Sequence, residues 1–340
     1  MDYNDSDKVI YENELKGFLP PRLFDAHVHV FDKGSFSEDY TLPSNHCYHK
    51  VGGDFSLELY CEYMGRMLPD QTVYCNSFGS PDLETNREAA AVYTGAVSDN
   101  NKFFGMALVS PKDTIENVRR RIEANHLIGY KPYLNFVDWK QAKDITIFDM
   151  LTEEQMEYAD AEGLVITLHI PRPGRLADPV NQKQMVELCQ KYPNTQIVFA
   201  HIGRAYYMKN IVGWLADIAT CPNAWLDTAM VNNEAILEYA FNNFPRERIL
   251  FGSDAPIALL RGKSVEINNS YAYLMGEDYM IGSALYDPNS NINFTTFFYE
   301  QLRGVKLASE RAQLSGGEIE NILFSNAFNL FSATANKKGY

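Results

Sequence analysis

Residues 23–30 read Leu-Phe-Asp-Ala-His-Val-His-Val. An apolar run this short, β-branched at its end and followed by Phe-Asp-Lys-Gly at 31–34, is how a buried strand stops. A strand sends alternate side chains to opposite faces, so His27 and His29 share a face, about 7 Å apart along the chain. Two imidazoles at a strand end can grip one metal ion, but a pair of hydrogen-bonded core histidines leaves the same pattern. The rest of the chain decides between them.

Downstream, apolar runs of strand length alternate with segments of helical period. Strands are expected at 72–78, 103–109, 128–136, 164–170, 196–201, 224–228 and 249–254. Helices are expected near 57–68, 82–98, 114–126, 182–191, 208–219, 234–243, 294–303 and 317–331. One more begins after Thr152, which with Gln155 has capping-box spacing. Several strands are apolar on both faces, which points to a parallel sheet covered by helices. Eight βα units select an α/β (β/α)8 TIM barrel over an open doubly wound sheet, and no G-x-G-x-x-G follows the first strand. The chain reads as a polar leader, 1–21, and one barrel domain, 22–335. Long insertions follow the first strand (31–54) and the eighth (256–293), and both have the length of lids over a barrel mouth.

Composition narrows the function. A formal charge of −14 without clustered Lys and Arg argues against nucleic acid. No run approaches the length of a membrane span, and the polar, acidic N-terminus resembles neither signal nor transit segment. The five cysteines are scattered without CxxC spacing, which fits free thiols in a reducing cytoplasm. The expected partner is a small molecule.

Four of the seven histidines fall at C-terminal ends of expected strands: His27, His29, His169 and His201. Asp254 ends the eighth strand in Phe-Gly-Ser-Asp-Ala-Pro (251–256). These positions converge on the face where βα loops build the active site of a TIM barrel. Unpaired buried polar groups cost several kcal/mol, so five of them together imply a ligand. The donor set suits a divalent ion, Zn²⁺, Mn²⁺ or Fe²⁺, with Zn²⁺ expected ahead of Mn²⁺.

Phe-Asp-Ala-His-Val-His (24–29), His169, Phe-Ala-His-Ile-Gly-Arg (199–204) and Phe-Gly-Ser-Asp-Ala-Pro together resemble the amidohydrolase superfamily, and more narrowly its amidohydrolase-related (amidohydrolase 2) branch of metal-dependent hydrolases and decarboxylases. The segment 320–331 resembles the closing helix of that branch. The resemblance implies His27, His29, His169 and Asp254 as metal ligands, with Asp254 also moving the proton of the attacking water. It implies His201 beside the metal, on a substrate carbonyl or the attacking water, or binding the metal directly. Some superfamily members carry a carbamylated, metal-bridging lysine where Lys131 ends the fourth strand; the branch resembled has a mononuclear site, so Lys131 is expected to meet a substrate anion. Members are often dimers, and the tyrosines of 256–293 suit a homodimer interface.

Arg172, Arg175 and Arg204 crowd behind strands five and six, and their planar forks suit a carboxylate. The competing reading is a loop-fixing pair of Arg175 with Asp178. Asp227 and Thr228 end the seventh strand, within reach of substrate. His46, Cys47 and His49 match no zinc spacing. The expected enzyme is a metal-dependent hydrolase cleaving an ester, lactone or amide of a small carboxylate-bearing substrate. The alternative is a non-oxidative decarboxylase of an enol or phenolic carboxylate.

Overall fold

The computed structural model describes residues 3–50 and 53–340, with His49 and Lys50 described by backbone alone, so the reading of the His49 side chain lies outside the described residues. Nine short strands run in chain order: β1 Arg22–His29, β2 Thr72–Phe78, β3 Phe103–Gly105, β4 Ala107–Val109, β5 Gly129–Pro132, β6 Val165–Leu168, β7 Gln196–Phe199, β8 Ala224–Asp227 and β9 Ile249–Leu250. The paired neighbours are parallel. β3 and β4 form one barrel position broken at Met106, whose N–H reaches Ser77 O while Ile128 N–H reaches Gly105 O. Ala26 N–H donates to Phe251 O (2.9 Å), Asp254 N–H to His27 O (2.8 Å) and His29 N–H to Ala255 O (2.8 Å), which closes the ring between β9 and β1. Eight parallel positions with helices between them make a (β/α)8 TIM barrel.

The strands are buried on both faces because helices cover the outside and side chains fill the inside, as in β6, where Val165, Ile166, Thr167 and Leu168 are all buried. The helices bury one stripe each: Leu57, Tyr60, Met64 and Met67 of Leu57–Met67 face the barrel. The C-terminal helical run, Gly316–Glu320 through Asn326–Lys338, lays Phe324, Ala327, Leu330 and Phe331 against Phe24, Phe104 and Val165. That caps the end opposite the histidines. No helix among the described residues is long and apolar enough to cross a membrane.

Thr152 caps Glu153–Glu162 reciprocally, with Gln155 N–H on Thr152 Oγ1 at 3.2 Å and Thr152 N–H on Gln155 Oε1 at 3.1 Å. Thr152→Ala is expected to cost about 1 kcal/mol, read as a lowered midpoint in urea with unchanged slope.

Several elements differ from the sequence expectation. Residues 3–15 dock on the barrel: Tyr11 and Leu15 are buried, and the buried Asp7 accepts from Arg261 Nη2 (2.6 Å) and Thr295 Oγ1 (2.7 Å). The helix expected at 208–219 is a 3-10 turn, Met208–Asn210, and a short helix, Ala216–Ala219, parted at Gly213, whose φ is +82°. The 256–293 insertion is a sheet, with β10 Gly262–Ile267 antiparallel to β11 Ser270–Met275 and β12 Ala284–Tyr286 parallel to β11. It meets the first insertion where Met280 N–H donates to Asn45 O at 2.9 Å. The first insertion also contains the short helix Cys47–Lys50.

Candidate active site

His27 and His29 stand at the end of β1, with ring centroids 5.7 Å apart. Each has its Nδ1 committed: His27 to Asp227 Oδ2 at 2.9 Å, His29 to the Gly79 carbonyl at 2.8 Å. That leaves Nε2 of both facing the mouth, and each Nε2 lies 3.3 Å from the same atom, Asp254 Oδ1. Nitrogen and oxygen ligands at about 2.0–2.2 Å around a tetrahedral cation sit roughly 3.3–3.6 Å from one another. The three atoms therefore have the spacing of ligands to one divalent ion. Two compact groups of metal-capable side chains occur among the described residues: His27, His29 and Asp254, and His27, His201 and Asp227.

Burial sets the charges. It pushes His29 and His201 down to about 4, so both are neutral at pH 7. It also drives His169 well below its ordinary value, reinforced by Arg204. Burial alone would raise Asp254, but His27, His29 and His201 hold it well below the usual carboxylate range. His27 goes the other way: burial and Lys131 press it down, and Asp227 and Asp254 outweigh them. Lys131 is completely buried on β5, its Nζ touching His27 Nε2 and lying 3.7 Å from the Phe78 ring centroid. Burial lowers it to about 7. A cation on His27 Nε2 therefore requires Lys131 uncharged or displaced.

His201 lies two residues past β7, in a turn that the strand reading 196–201 did not foresee. His201, Ile202, Gly203 and Arg204 all have positive φ (57°, 51°, 62° and 61°), a left-handed turn costly for a β-branched residue such as Ile202. Asp227 Oδ1 holds it, accepting from His201 N–H at 2.7 Å and Ala229 N–H at 3.1 Å. His201 Nδ1 bonds the Ala229 carbonyl at 2.8 Å, and its ring centroid is 4.9 Å from that of His27. Asp254 is likewise left-handed, with φ of 71°; it lies four residues beyond the end of the ladder at Leu250, not at the strand's last position as expected.

The sequence model of a family described as amidohydrolase matches residues 24–271. The chain belongs to the amidohydrolase family. Solved structures give the same fold. They include a probable 2-pyrone-4,6-dicarboxylic acid hydrolase from Acinetobacter baumannii (17% identity, 91% of this chain and 98% of that one, TM-score 0.51). Another is a 4-oxalomesaconate hydratase from Rhodopseudomonas palustris (13% identity, 93% and 98%, TM-score 0.53). A third is a 5-carboxyvanillate decarboxylase from Sphingomonas paucimobilis (13% identity, 92% and 99%, TM-score 0.51). A search of curated proteins finds no match. The family points to an enzyme.

In this amidohydrolase, His27, His29, His201, Lys131 and Asp254 come together. His169 stands one residue past β6, its ring 5.3 Å from that of His201 and 6.3 Å from that of Tyr133, outside both compact groups. Its Nδ1 is buried without a hydrogen-bond partner, so the neutral ring is free to donate a lone pair. Arg172 pairs with Asp178 at 3.0 Å; the loop-fixing pair weighed as the competing reading of Arg175 is made by Arg172 instead. Arg175 and Arg204 turn toward Tyr206 and Tyr271.

Sequence reasoning assigned no role to Asp25 and Tyr133; Asp227, expected within reach of substrate, has its oxygens on His27 Nδ1 and on the N–H groups of the His201 turn. Tyr133 Oη lies 3.2 Å from His29 Nε2. Asp25 accepts from His27 N–H, Ser253 N–H, Ser253 Oγ and Tyr60 Oη, tying β1 to the Asp254 loop. Its parity with His27 and His29 was the available signal.

Proposed function

We propose that this amidohydrolase is a metal-dependent hydrolase that cleaves an ester, lactone or amide bond of a small carboxylate-bearing substrate. The observation that carries the reading is Asp254 Oδ1 equidistant from two imidazole Nε2 atoms whose other nitrogens are committed. His27, His29 and Asp254 would hold the ion, with His169 adding a fourth donor. A divalent cation held there would supply Lewis acidity, polarising a carbonyl and making water more acidic.

The chain's own groups do the rest. Asp254, kept ionised by its histidines, accepts the water's proton at a carboxylate oxygen and returns it to the leaving group. His201, neutral and with Nδ1 fixed on Ala229 O, presents Nε2 to the substrate carbonyl or the water. Tyr48, Tyr206 and Tyr273, all nearly buried, keep bulk water out.

The test is a screen of lactones, esters and phenolic or enol carboxylates, scored for both acid and CO₂ release, on protein whose metal content has been measured. Acid release without CO₂, at about one metal per chain, is expected. CO₂ release establishes the decarboxylase alternative. Turnover undiminished after thorough chelation overturns the metal-dependent reading.

Asp227 should tune the site without touching substrate. By accepting from His27 Nδ1 it keeps the Nε2 lone pair aimed at the mouth. Asp227→Asn is expected to weaken Zn²⁺ binding by about ten- to a hundredfold in a chelator competition. Unchanged affinity would remove Asp227 from this role.

A further inference from the structure

Tyr133 directly follows β5, and its side chain reaches the end of β1, where Oη lies 3.2 Å from His29 Nε2. The far side of the imidazole fixes the direction of that hydrogen bond. His29 Nδ1 is 2.8 Å from the Gly79 carbonyl, which can only accept, so the neutral ring carries its proton on Nδ1 and a lone pair on Nε2. The phenol therefore donates to Nε2. Asp254 Oδ1, 3.3 Å from the same nitrogen, is itself an acceptor and cannot satisfy it. The Tyr133 ring is buried and packs with Leu108 and Phe136, the latter edge-on with centroids 6.1 Å apart. Its hydroxyl is thus aimed by the core and not by solvent.

Tyr133 and a cation at His29 are rivals for one lone pair. When the cation holds it, the phenol needs another acceptor, because a buried donor without a partner is costly. In the hydrolysis proposed above, the oxygen brought to that point is the substrate's carbonyl, which gains negative charge as water adds. A donor already aimed there favours the charged oxygen over the neutral one, and so lowers the barrier.

We infer that Tyr133 is a catalytic residue: its hydroxyl competes with the cation for the His29 lone pair and, once the cation holds that pair, donates to the substrate's oxyanion. This rests on the metal-dependent hydrolase reading and supplies it with a second neutral donor beside His201. The phenol keeps its proton throughout. The electron pair driven onto the carbonyl oxygen by the attacking water returns to carbon as the leaving group departs with the proton from Asp254.

Tyr133→Phe keeps the ring and removes only the hydroxyl, and the two parts of the role give it effects of opposite sign. Zn²⁺ is expected to bind about two- to tenfold tighter in a chelator competition, since a net hydrogen bond no longer holds the lone pair. Phenylphosphonate, whose tetrahedral oxygens resemble the oxyanion, is expected to bind the Zn²⁺-loaded chain about ten- to a hundredfold more weakly by calorimetry, the loss of one hydrogen bond to a charged group. A ring that served packing alone would not move the two affinities in opposite directions. Should the variant melt early, a ring-fluorinated tyrosine at position 133 carries the test: its more acidic hydroxyl is the stronger donor, so Zn²⁺ weakens and phenylphosphonate tightens. Zn²⁺ affinity unchanged or lowered in Tyr133→Phe, or phenylphosphonate affinity undiminished, overturns the role of Tyr133 and leaves the metal site standing. A wild-type chain that takes up no Zn²⁺ overturns the metal-dependent reading, and the role of Tyr133 falls with it.

Discussion

Asp254→Asn is expected to lower kcat/KM by about 10³-fold or more while the protein stays folded. Asparagine keeps the size of the side chain and an oxygen to present to His27 and His29, both now 3.3 Å from Asp254 Oδ1. What it loses is the negative charge and the ability to take a proton. Some metal affinity will go as well, so the assay belongs at saturating Zn²⁺ with bound metal measured on the same sample. If Asp254 only helped to hold the ion, saturating metal would restore turnover. A proton carrier predicts a kcat that stays low at full occupancy, with KM little changed. The backbone of Asp254 is left-handed, which asparagine tolerates better than most residues, so substitution adds little strain.

The barrel and the outline of its mouth were legible from the sequence because both rest on periodicity. Strands buried on both faces read as continuous apolar runs, and polar residues that interrupt such runs at their C-terminal ends mark the top of a barrel. β2 spans the residues expected, Thr72–Phe78, and the capping box at Thr152 is formed. What sequence could not supply is the direction of side chains after a strand ends. The left-handed turn His201–Arg204 is set by Asp227 from the next strand, a contact 26 residues away. Three arginines just after strands five and six read alike, yet one is neutralised by Asp178 and two are left facing tyrosines. One of those tyrosines, Tyr206, follows the His201–Arg204 turn, and the other, Tyr271, stands on β11 of the sheet formed by the second insertion. The docked N-terminus was missed because its overall polarity masks two buried apolar residues, Tyr11 and Leu15, and gives no sign that Asp7 is buried with them.

Stability, measured on the EDTA-treated chain, is expected to fall steeply as pH drops from about 6.5 to 4. His29 and His201 are depressed to about 4 by burial, while in the unfolded chain an imidazole titrates near 6.5. Between those values the unfolded state binds protons that the native state refuses, so stability rises with pH through this window and is complete above it. At 1.36 kcal/mol per pH unit, each histidine contributes roughly 3 kcal/mol. His169, also driven down, acts in the same direction. Asp25 opposes them: burial raises it to about 6, so the native state holds a proton that the unfolded chain has released, and stability falls as pH rises from about 4 to 6. His27, raised by its carboxylates, also opposes them at higher pH. Two or three depressed histidines outweigh one raised carboxyl, leaving a net loss of several kcal/mol on acidification. The measurement is the urea midpoint across pH 4–8, with His201→Gln as the comparison. The variant should lose about half of the dependence due to His29 and His201. A midpoint flat from pH 4 to 7 would mean that these imidazoles are hydrated in the native mouth, and that neutral nitrogens are not held ready for a cation there.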